Sequence, residues 1–365
     1  GARDPARGAP RRAAASSIAH GRCARAPDGV DPTWAAKLLL IGPTKWPTVA
    51  KSLHGKEPHF RRASSDGALR RLGSLRFGGA HPGTMGDAAR TERIKVMIRV
   101  RPLVALETDG AHRSSDTVVE TTPTEVVLHG AEARHQLACA FDTVLGPGST
   151  QEDVYGHVGD CVDTVAQGYN ATVLAYGQTG SGKTHTMFGA GGWSESPGGW
   201  SGGGIIPRAV AALFDALPRG AQVFASFLQV YREQVYDMLR DGAMDRPLEI
   251  HEEALSEGGG TFVSGLSEYG VRSAADCVNL VRAGEANRAT RETQMNASSS
   301  RSHSIFTLLV EQKRVVDDGG GEVTLRSKFN LVDLAGSEKW DARQAMGDAR
   351  VAEMTRINLS LHTLG

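Results

Sequence analysis

Apolar residues recur at every second position from Ile94, through Val96 and Ile98 to Val100. That period belongs to a strand with one buried face, and Arg101-Pro102 closes it. Ser149-Thr150-Gln151-Glu152 reads as a capping box opening a helix. Val154, Val158, Cys161, Val162 and Val165 then fall on one helical face, with Gly168 as the stop. The apolar run 171–176 suits a strand buried on both sides. Residues 222–231 predict another strand. A second helix is expected from Ser273 and Asp276, its cap pair, to Gly284, its stop. Residues 305–313 and 324–333 predict two strands joined through a turn containing Gly321, and residues 350–364 predict a helix. Strands alternating with helices imply an α/β domain whose central sheet is covered on both faces. No internal repeat or heptad run is visible.

Composition divides the chain in two. Of 365 residues, 40% are hydrophobic and 22% charged, with a formal net charge of +0. Residues 1–84 hold 15 Lys and Arg against 5 Asp and Glu, a net of about +10, so the remainder carries about −10. The basic stretch is rich in Arg, Ala, Gly and Ser without sustained periodicity and reads as disordered. Its composition also suits a transit peptide or a basic arm for an acidic surface. No methionine precedes Met85. Residues 1–84 therefore read either as internal to a longer chain or as sequence upstream of the natural start, leaving 85–365 as the folded domain. The short apolar run 35–41, interrupted by Lys37, cannot span a bilayer. Four cysteines without a C-x-x-C pair fit incidental thiols better than disulfides or a metal site.

Gly177-Gln178-Thr179-Gly180-Ser181-Gly182-Lys183-Thr184 matches the phosphate-binding pattern G-x-x-x-x-G-K-[ST]. Glycines allow the tight turn that aims successive backbone N–H groups at phosphate oxygens. A helix starting there adds its positive end. Lys183 is expected at the β- and γ-phosphates and the Thr184 hydroxyl on Mg²⁺. Position supports the match, because an apolar strand precedes the loop.

Two further loops extend this chemistry. Asn296-Ala297-Ser298-Ser299-Ser300-Arg301-Ser302-His303 precedes one predicted strand. Asp333-Leu334-Ala335-Gly336-Ser337-Glu338 follows the other. An Asp at a strand end after an apolar run suits a carboxylate holding Mg²⁺ through water. Gly336 can bring a backbone N–H to the γ-phosphate. Ser299 and Ser300 offer hydroxyls to Mg²⁺ or to the attacking water. Singly, each stretch is an ordinary turn or strand end; together, downstream of a phosphate loop, they are not.

With these pieces in place, residues 94–365 resemble a kinesin motor domain. The resemblance rests on Arg99-Val-Arg-Pro102, residues 176–187, Gly204-Ile-Ile-Pro-Arg208, residues 296–303, residues 330–338 and Ile357-Asn-Leu-Ser-Leu361. It implies a P-loop NTPase fold with a mixed, mostly parallel central sheet and helices on both faces. It implies an ATPase using ATP and Mg²⁺, stimulated by microtubules and working on them as a motor in the cytoplasm and cytoskeleton. Arg99, Pro102 and His185 would flank the adenine. Thr184 and Ser300 would ligate Mg²⁺, with Asp333 acting through water. Arg301 and Glu338 would pair across the two switch loops when the γ-phosphate is present. No nucleic-acid partner and no membrane span are expected.

Departures from the family pattern are also legible. Residues 248–270, which resemble a microtubule-contact loop, hold no Lys or Arg. Arg343-Gln344-Ala345 replaces the usual Thr-Gly-Ala run, and Leu359 stands where Lys is common. The resemblance places Gly365 inside the long helix after the second switch, so the motor domain is expected to be incomplete there and poorly soluble alone. A nucleotide-regulated microtubule-binding protein without processive stepping is the alternative. The Gly- and Ser-rich stretch 189–204 is expected to be a surface loop.

Overall fold

A computed structural model describes residues 35–44, 48–51, 94–103, 118–129, 136–196, 199–240, 246–253, 260–294, 299–316, 321–337 and 361. The predicted helix 350–364 and Glu338 lie outside the described residues, Leu361 excepted.

A ten-stranded sheet organises the domain. Gln222–Tyr231 pairs with Gln234–Asp237 on one side and with His303–Val316 on the other. His303–Val316 runs antiparallel to Gly321–Asp333, which pairs in parallel with Asn170–Tyr176. Next comes Ala35–Thr44, then Lys95–Val100, which pairs in parallel with Thr143–Leu145. The sheet is thus mixed. Its two parallel ladders sit around the phosphate-loop strand and at one edge, and the hairpin at 303–333 accounts for the long antiparallel part.

Ala35–Thr44 and Thr48–Lys51 are strands inside the stretch that the sequence reads as unstructured. Ala35–Thr44 lies antiparallel between Lys95–Val100 and Asn170–Tyr176, bonded to both. The rest of 1–84 lies outside the described residues.

Side-chain alternation sorts the core. Ala171, Val173 and Ala175 point to one face with Phe329, Leu331, Phe306 and Phe227. There they meet Val154, Val162 and Val165 from the helices Gln151–Gly156 and Gly159–Ala166, and Val158 from the break between them. Ile205–Ala216 and Ala274–Gln294 complete that layer with Leu213 and Val281. Phe227 and Phe306 meet edge-on at 5.7 Å, a geometry worth about 1 kcal/mol beyond burial. Leu174, Val332, Leu334 and Ala335 point to the opposite face and pack with Leu361. Ile98, Val100 and Val144 pack with Val126 of a small sheet built from Val118–Thr121, Glu125–His129 and Gln136–Ala140.

Several boundaries differ from the sequence pattern. The capping box is Thr150 with Asp153, one residue along from Ser149 with Glu152, because the Thr150 hydroxyl accepts from the Asp153 N–H. The single predicted helix is two short ones, broken at 157–158. Ser273 does cap, its hydroxyl accepting from the Asp276 N–H at 3.1 Å. Gly284, however, does not stop that helix, which continues to Gln294. Gly284 is where the helix crosses the sheet: a Cβ there would lie 2.2 Å from Phe227 Cδ1. Gly189–Ser196 and Gly199–Gly203 pair as a hairpin where a loop is expected.

Candidate functional site

The phosphate loop leaves the strand Asn170–Tyr176 and enters the helix Lys183–Met187. Gly177, Gly180 and Gly182 take φ of 154°, 78° and 92°, conformations in which a side chain is strained. A Cβ at Gly180 or Gly182 would meet nothing within 4 Å, so the space over the loop is open. Lys183 is buried and its Nζ donates to the carbonyls of Gly177 and Gln178 at 2.9 and 2.8 Å, lying across the loop.

Asp333 ends the strand Gly321–Asp333, in register with Ala175 of the phosphate-loop strand. Parallel pairing therefore delivers the carboxylate beside the loop. Its Oδ2 accepts from the Thr184 hydroxyl at 2.6 Å. Burial raises its pKa above the ordinary carboxylate value, opposed by the Arg288 charge, the Thr184 hydroxyl and Lys183. Two buried polar atoms here have no hydrogen-bond partner: Ser181 Oγ and Asp333 Oδ1.

The residues after Asp333 stitch three segments together. Leu334 N–H donates to Ala175 O, Ser337 N–H to Gly177 O, and Gly336 N–H to Ser300 O at 2.7 Å. Ala335 N–H donates to His303 Nδ1 at 3.1 Å. Burial, then the Lys183 and Arg288 charges, lower the His303 pKa to about 4, so its imidazole is neutral and accepts. Ser299–Arg301 forms a single 3₁₀ turn, which brings the Ser300 carbonyl to Gly336. Arg301 is half-buried beside this junction. Its expected partner Glu338 lies outside the described residues.

The three residues expected to flank the adenine differ in exposure. Pro102 and His185 are exposed, but Arg99 is buried. Its guanidinium donates to Gln151 Oε1, the Thr186 hydroxyl and the Ser149 carbonyl, at 3.0, 2.9 and 3.3 Å. Gln151 Nε2 in turn donates to the His185 carbonyl and lies 3.2 Å from His185 Nδ1. Gln151 therefore bridges Arg99 to His185. Sequence reasoning placed Gln151 only in a cap, and no local signal marks it. Arg288 was also missed: it lies on the helix Ala274–Gln294, buried, 3.6 Å from Asp333 Oδ2.

Whether ATP and Mg²⁺ suit these residues can be judged from the orphaned atoms. Ser181 Oγ, in the loop, and Asp333 Oδ1, on the carboxylate that accepts from Thr184, lack partners of the kind that phosphate oxygens or a hydrated cation would provide. Among the described residues no cluster of three His, Cys, Asp or Glu could cage a metal. Mg²⁺ fits such a site, because it keeps waters and draws ligands from phosphates and few side chains. The residues present fit the group.

The kinesin motor domain family model matches residues 99–365. The chain is 35% identical over 332 residues to a rice kinesin-like protein, KIN-5A, covering 84% of this chain and 31% of that one. It is 38% identical to the Drosophila kinesin-like protein Klp61F, over 75% of this chain and 26% of that one. Against a fission-yeast kinesin-like protein 3, identity is 38%, over 74% and 47%. The chain thus spans under half the length of these relatives. The solved structure of a fast kinesin superposes with a TM-score of 0.59 at 32% identity, covering 71% of this chain and 70% of that one. The phosphate loop, the Ser300–Gly336 junction and the Thr184–Asp333 bond all fall inside the matched region, and the chain belongs to the kinesin motor-domain family.

Proposed function

We propose that this chain is the ATP-hydrolysing part of a microtubule-based motor, coupling hydrolysis to microtubule binding and release. The observation that carries the reading is the Gly336 N–H bond to the Ser300 carbonyl, three residues after Asp333, which accepts from the Thr184 hydroxyl. This bond joins the two loops expected to sense the γ-phosphate to each other, and the Ser337 N–H bond to the Gly177 carbonyl ties them to the loop expected to hold it.

Bound ATP with Mg²⁺ supplies a transferable phosphoryl group and a cation that offsets its charge. The residues 177–184 hold the phosphates through backbone N–H groups. Lys183, whose Nζ donates to the Gly177 and Gln178 carbonyls across the loop, would donate to phosphate oxygens. Thr184 and Ser300 would offer hydroxyls to the cation, and Asp333, which accepts from the Thr184 hydroxyl, would accept from a water on it. Ser299, Arg301 and Glu338 orient the attacking water, and Gly336 offers its N–H without a side chain in the way. Pro102 and His185 line the base, with Arg99 acting from beneath through Gln151. Such a motor works in the cytoplasm on the microtubule cytoskeleton.

A second reading, a microtubule-binding protein switched by nucleotide without stepping, draws on one feature. The hairpin Ile250–Glu253 with Gly260–Val263 sits in a stretch, 248–270, that holds no Lys or Arg, so it offers little to an acidic filament. Steady-state ATP hydrolysis with and without microtubules, on the natural full-length chain and on Glu338→Ala, separates the two. The motor predicts strong stimulation that the substitution abolishes. Tight microtubule binding without stimulation would replace it by the second reading.

A further inference from the structure

The hairpin Ile250–Glu253 with Gly260–Val263 stands apart from the main sheet as a two-stranded ribbon. Its base is tied by the Leu248 N–H bond to the Val235 carbonyl and the Ser264 N–H bond to the Glu249 carbonyl. Among the described residues no third strand pairs with either edge. A ribbon of two strands is marginal in water without a further strand or a packed face. Ile250 lies opposite Val263 on one face and is 61% exposed. His251 lies opposite Phe262 on the other, their rings stacked at 5.5 Å, and Phe262 is 46% exposed. One exposed apolar side chain is ordinary; one on each face of a ribbon with open edges marks a surface that something covers.

Charge narrows the occupant. Residues 248–270 hold five Glu and no Lys or Arg, with Arg246 and Arg272 flanking them. Strand alternation puts the exposed Glu252 on the Ile250 face. Glu249, also exposed, lies 3.4 Å from His251 and so belongs with Phe262. Each face thus pairs an apolar side chain with a carboxylate, and its complement is basic and apolar together. Residues 56–77 of this chain have that chemistry. They hold six Lys and Arg against two Asp and Glu, and Arg70, Arg71 and Arg76 stand among Leu69, Leu72 and Leu75.

The chain on either side of that segment is long enough to deliver it. Lys51 pairs with Val323, and Lys95 begins the strand Lys95–Val100. Gln234–Asp237, which bridges to Leu248, lies six strands from Lys95–Val100, about 29 Å across the sheet. Arg70 is 19 residues beyond Lys51, and Arg76 is 19 before Lys95. Either span reaches about 60 Å when extended. We propose that the hairpin is a docking surface for the chain's own basic segment 56–77, with arginines meeting Glu249 and Glu252 and leucines covering Ile250 and Phe262. The contact involves no phosphate-site residue and needs no nucleotide.

The test is amide hydrogen exchange on the natural full-length chain, read over 249–253 and 260–263 and, as a control on folding, over 222–231. In the unsubstituted protein the hairpin amides should exchange at least tenfold more slowly than in Arg70→Glu/Arg71→Glu, which leaves the hairpin sequence untouched. Glu249→Arg/Glu252→Arg should speed them similarly, and joining both pairs of substitutions should bring exchange back to within threefold of the unsubstituted protein. Salt at about 0.5 M should weaken the protection severalfold in the unsubstituted chain and change nothing in Arg70→Glu/Arg71→Glu. Equal hairpin exchange in the unsubstituted chain and Arg70→Glu/Arg71→Glu, or no recovery in the combined variant, would overturn the proposal. So would protection that grows with protein concentration and survives Arg70→Glu/Arg71→Glu, which makes a second copy the occupant, and protection that appears only when microtubules are added.

Discussion

The Gly336 N–H donates to the Ser300 carbonyl across 2.7 Å, and this one backbone bond closes the two loops flanking the phosphate site onto each other. It uses no side chain, so its strength does not depend on the residue at 300, only on a residue at 336 that has an N–H. Two residues upstream, Leu334 is fastened to Ala175 in the same way. The second loop is therefore anchored at its base and joined to the first loop at its tip. Substituting Gly336→Pro removes the donor and leaves the Ser300 carbonyl without it. Hydrolysis should fall at least tenfold, with affinity for ADP changed less than threefold. Loss of both together would mean that the bond supports the loop's fold and not its closure.

His303 should make stability depend on pH. Its pKa in the folded chain is lowered to about 4, against an ordinary value near 6.5. The unfolded chain thus binds a proton over a range where the folded chain does not. The neutral ring's contribution is intact above about pH 6.5 and is lost as pH falls toward 4. Between pH 7 and pH 5 the loss should be about 2 kcal/mol. His303→Asn places an amide oxygen near Nδ1, so it can still accept from Ala335 N–H but cannot titrate. Denaturant unfolding at the two pH values should show a fall smaller by that amount in the variant. An identical fall in both proteins would remove His303 from the account.

Gly284 tests how tightly the helix layer meets the sheet. A Cβ there would lie 2.2 and 2.7 Å from Phe227 Cδ1 and Cε1, and Phe227 is buried between Phe188 and Phe306. Alanine would gain about 1 kcal/mol of helix propensity, but the clash with a packed ring should cost more. Gly284→Ala is expected to destabilise by about 1–3 kcal/mol net. Combining it with Phe227→Leu should cost less than the two changes summed, measured by equilibrium unfolding. Strict additivity would show that ring and glycine do not share the space.

Gln151→Ala should weaken nucleotide binding without touching the phosphate loop. Gln151 is the acceptor for Arg99 Nη1 and the donor to the His185 carbonyl. Its removal leaves a buried guanidinium short of one partner, worth about 1–3 kcal/mol, and releases the His185 side of the wall. The Michaelis constant for ATP should rise three- to tenfold with turnover within twofold. A fall in turnover at constant Michaelis constant would place Gln151 elsewhere in the cycle.

What the sequence shows and what it hides follows from the range of each interaction. The phosphate loop is legible because eight adjacent residues do one job, and 222–231 because a period of two survives along a whole strand. Asp333 is legible because strand ends and loop chemistry coincide there. Gln151 and Arg288 leave no trace, since each acts on residues 34 or more positions away through a geometry only the folded sheet creates. Gly284 misleads for the same reason. A glycine at a helix end and a glycine at a helix crossing look alike until the ring of Phe227 is placed. Ser149 and Thr150 are both good caps in sequence, and the turn at Gly146 decides between them, since the Ser149 hydroxyl is already donating to the Gly146 carbonyl.

The strand Ala35–Thr44 is the least legible element and the easiest to challenge. Leu39 is in register with Val96 on one side and Leu174 on the other. The ladders at Lys95–Val100 and Asn170–Tyr176 are both made through this strand, so the phosphate-loop strand meets the first strand of the matched family region only across it. Proline at a position paired on both sides deletes an N–H and cannot be accommodated in a central strand. Leu39→Pro should therefore lower unfolding free energy by about 3 kcal/mol or more, and should do so as much as deleting residues 1–51 does. Hydrogen exchange at Leu174 reads the same pairing: its amide should be protected in the unsubstituted chain and should exchange faster in the variant, whereas the Val96 amide, which donates to Asp142 Oδ2, should change less. Stability and exchange unchanged by Leu39→Pro would show that another segment fills this place in the sheet.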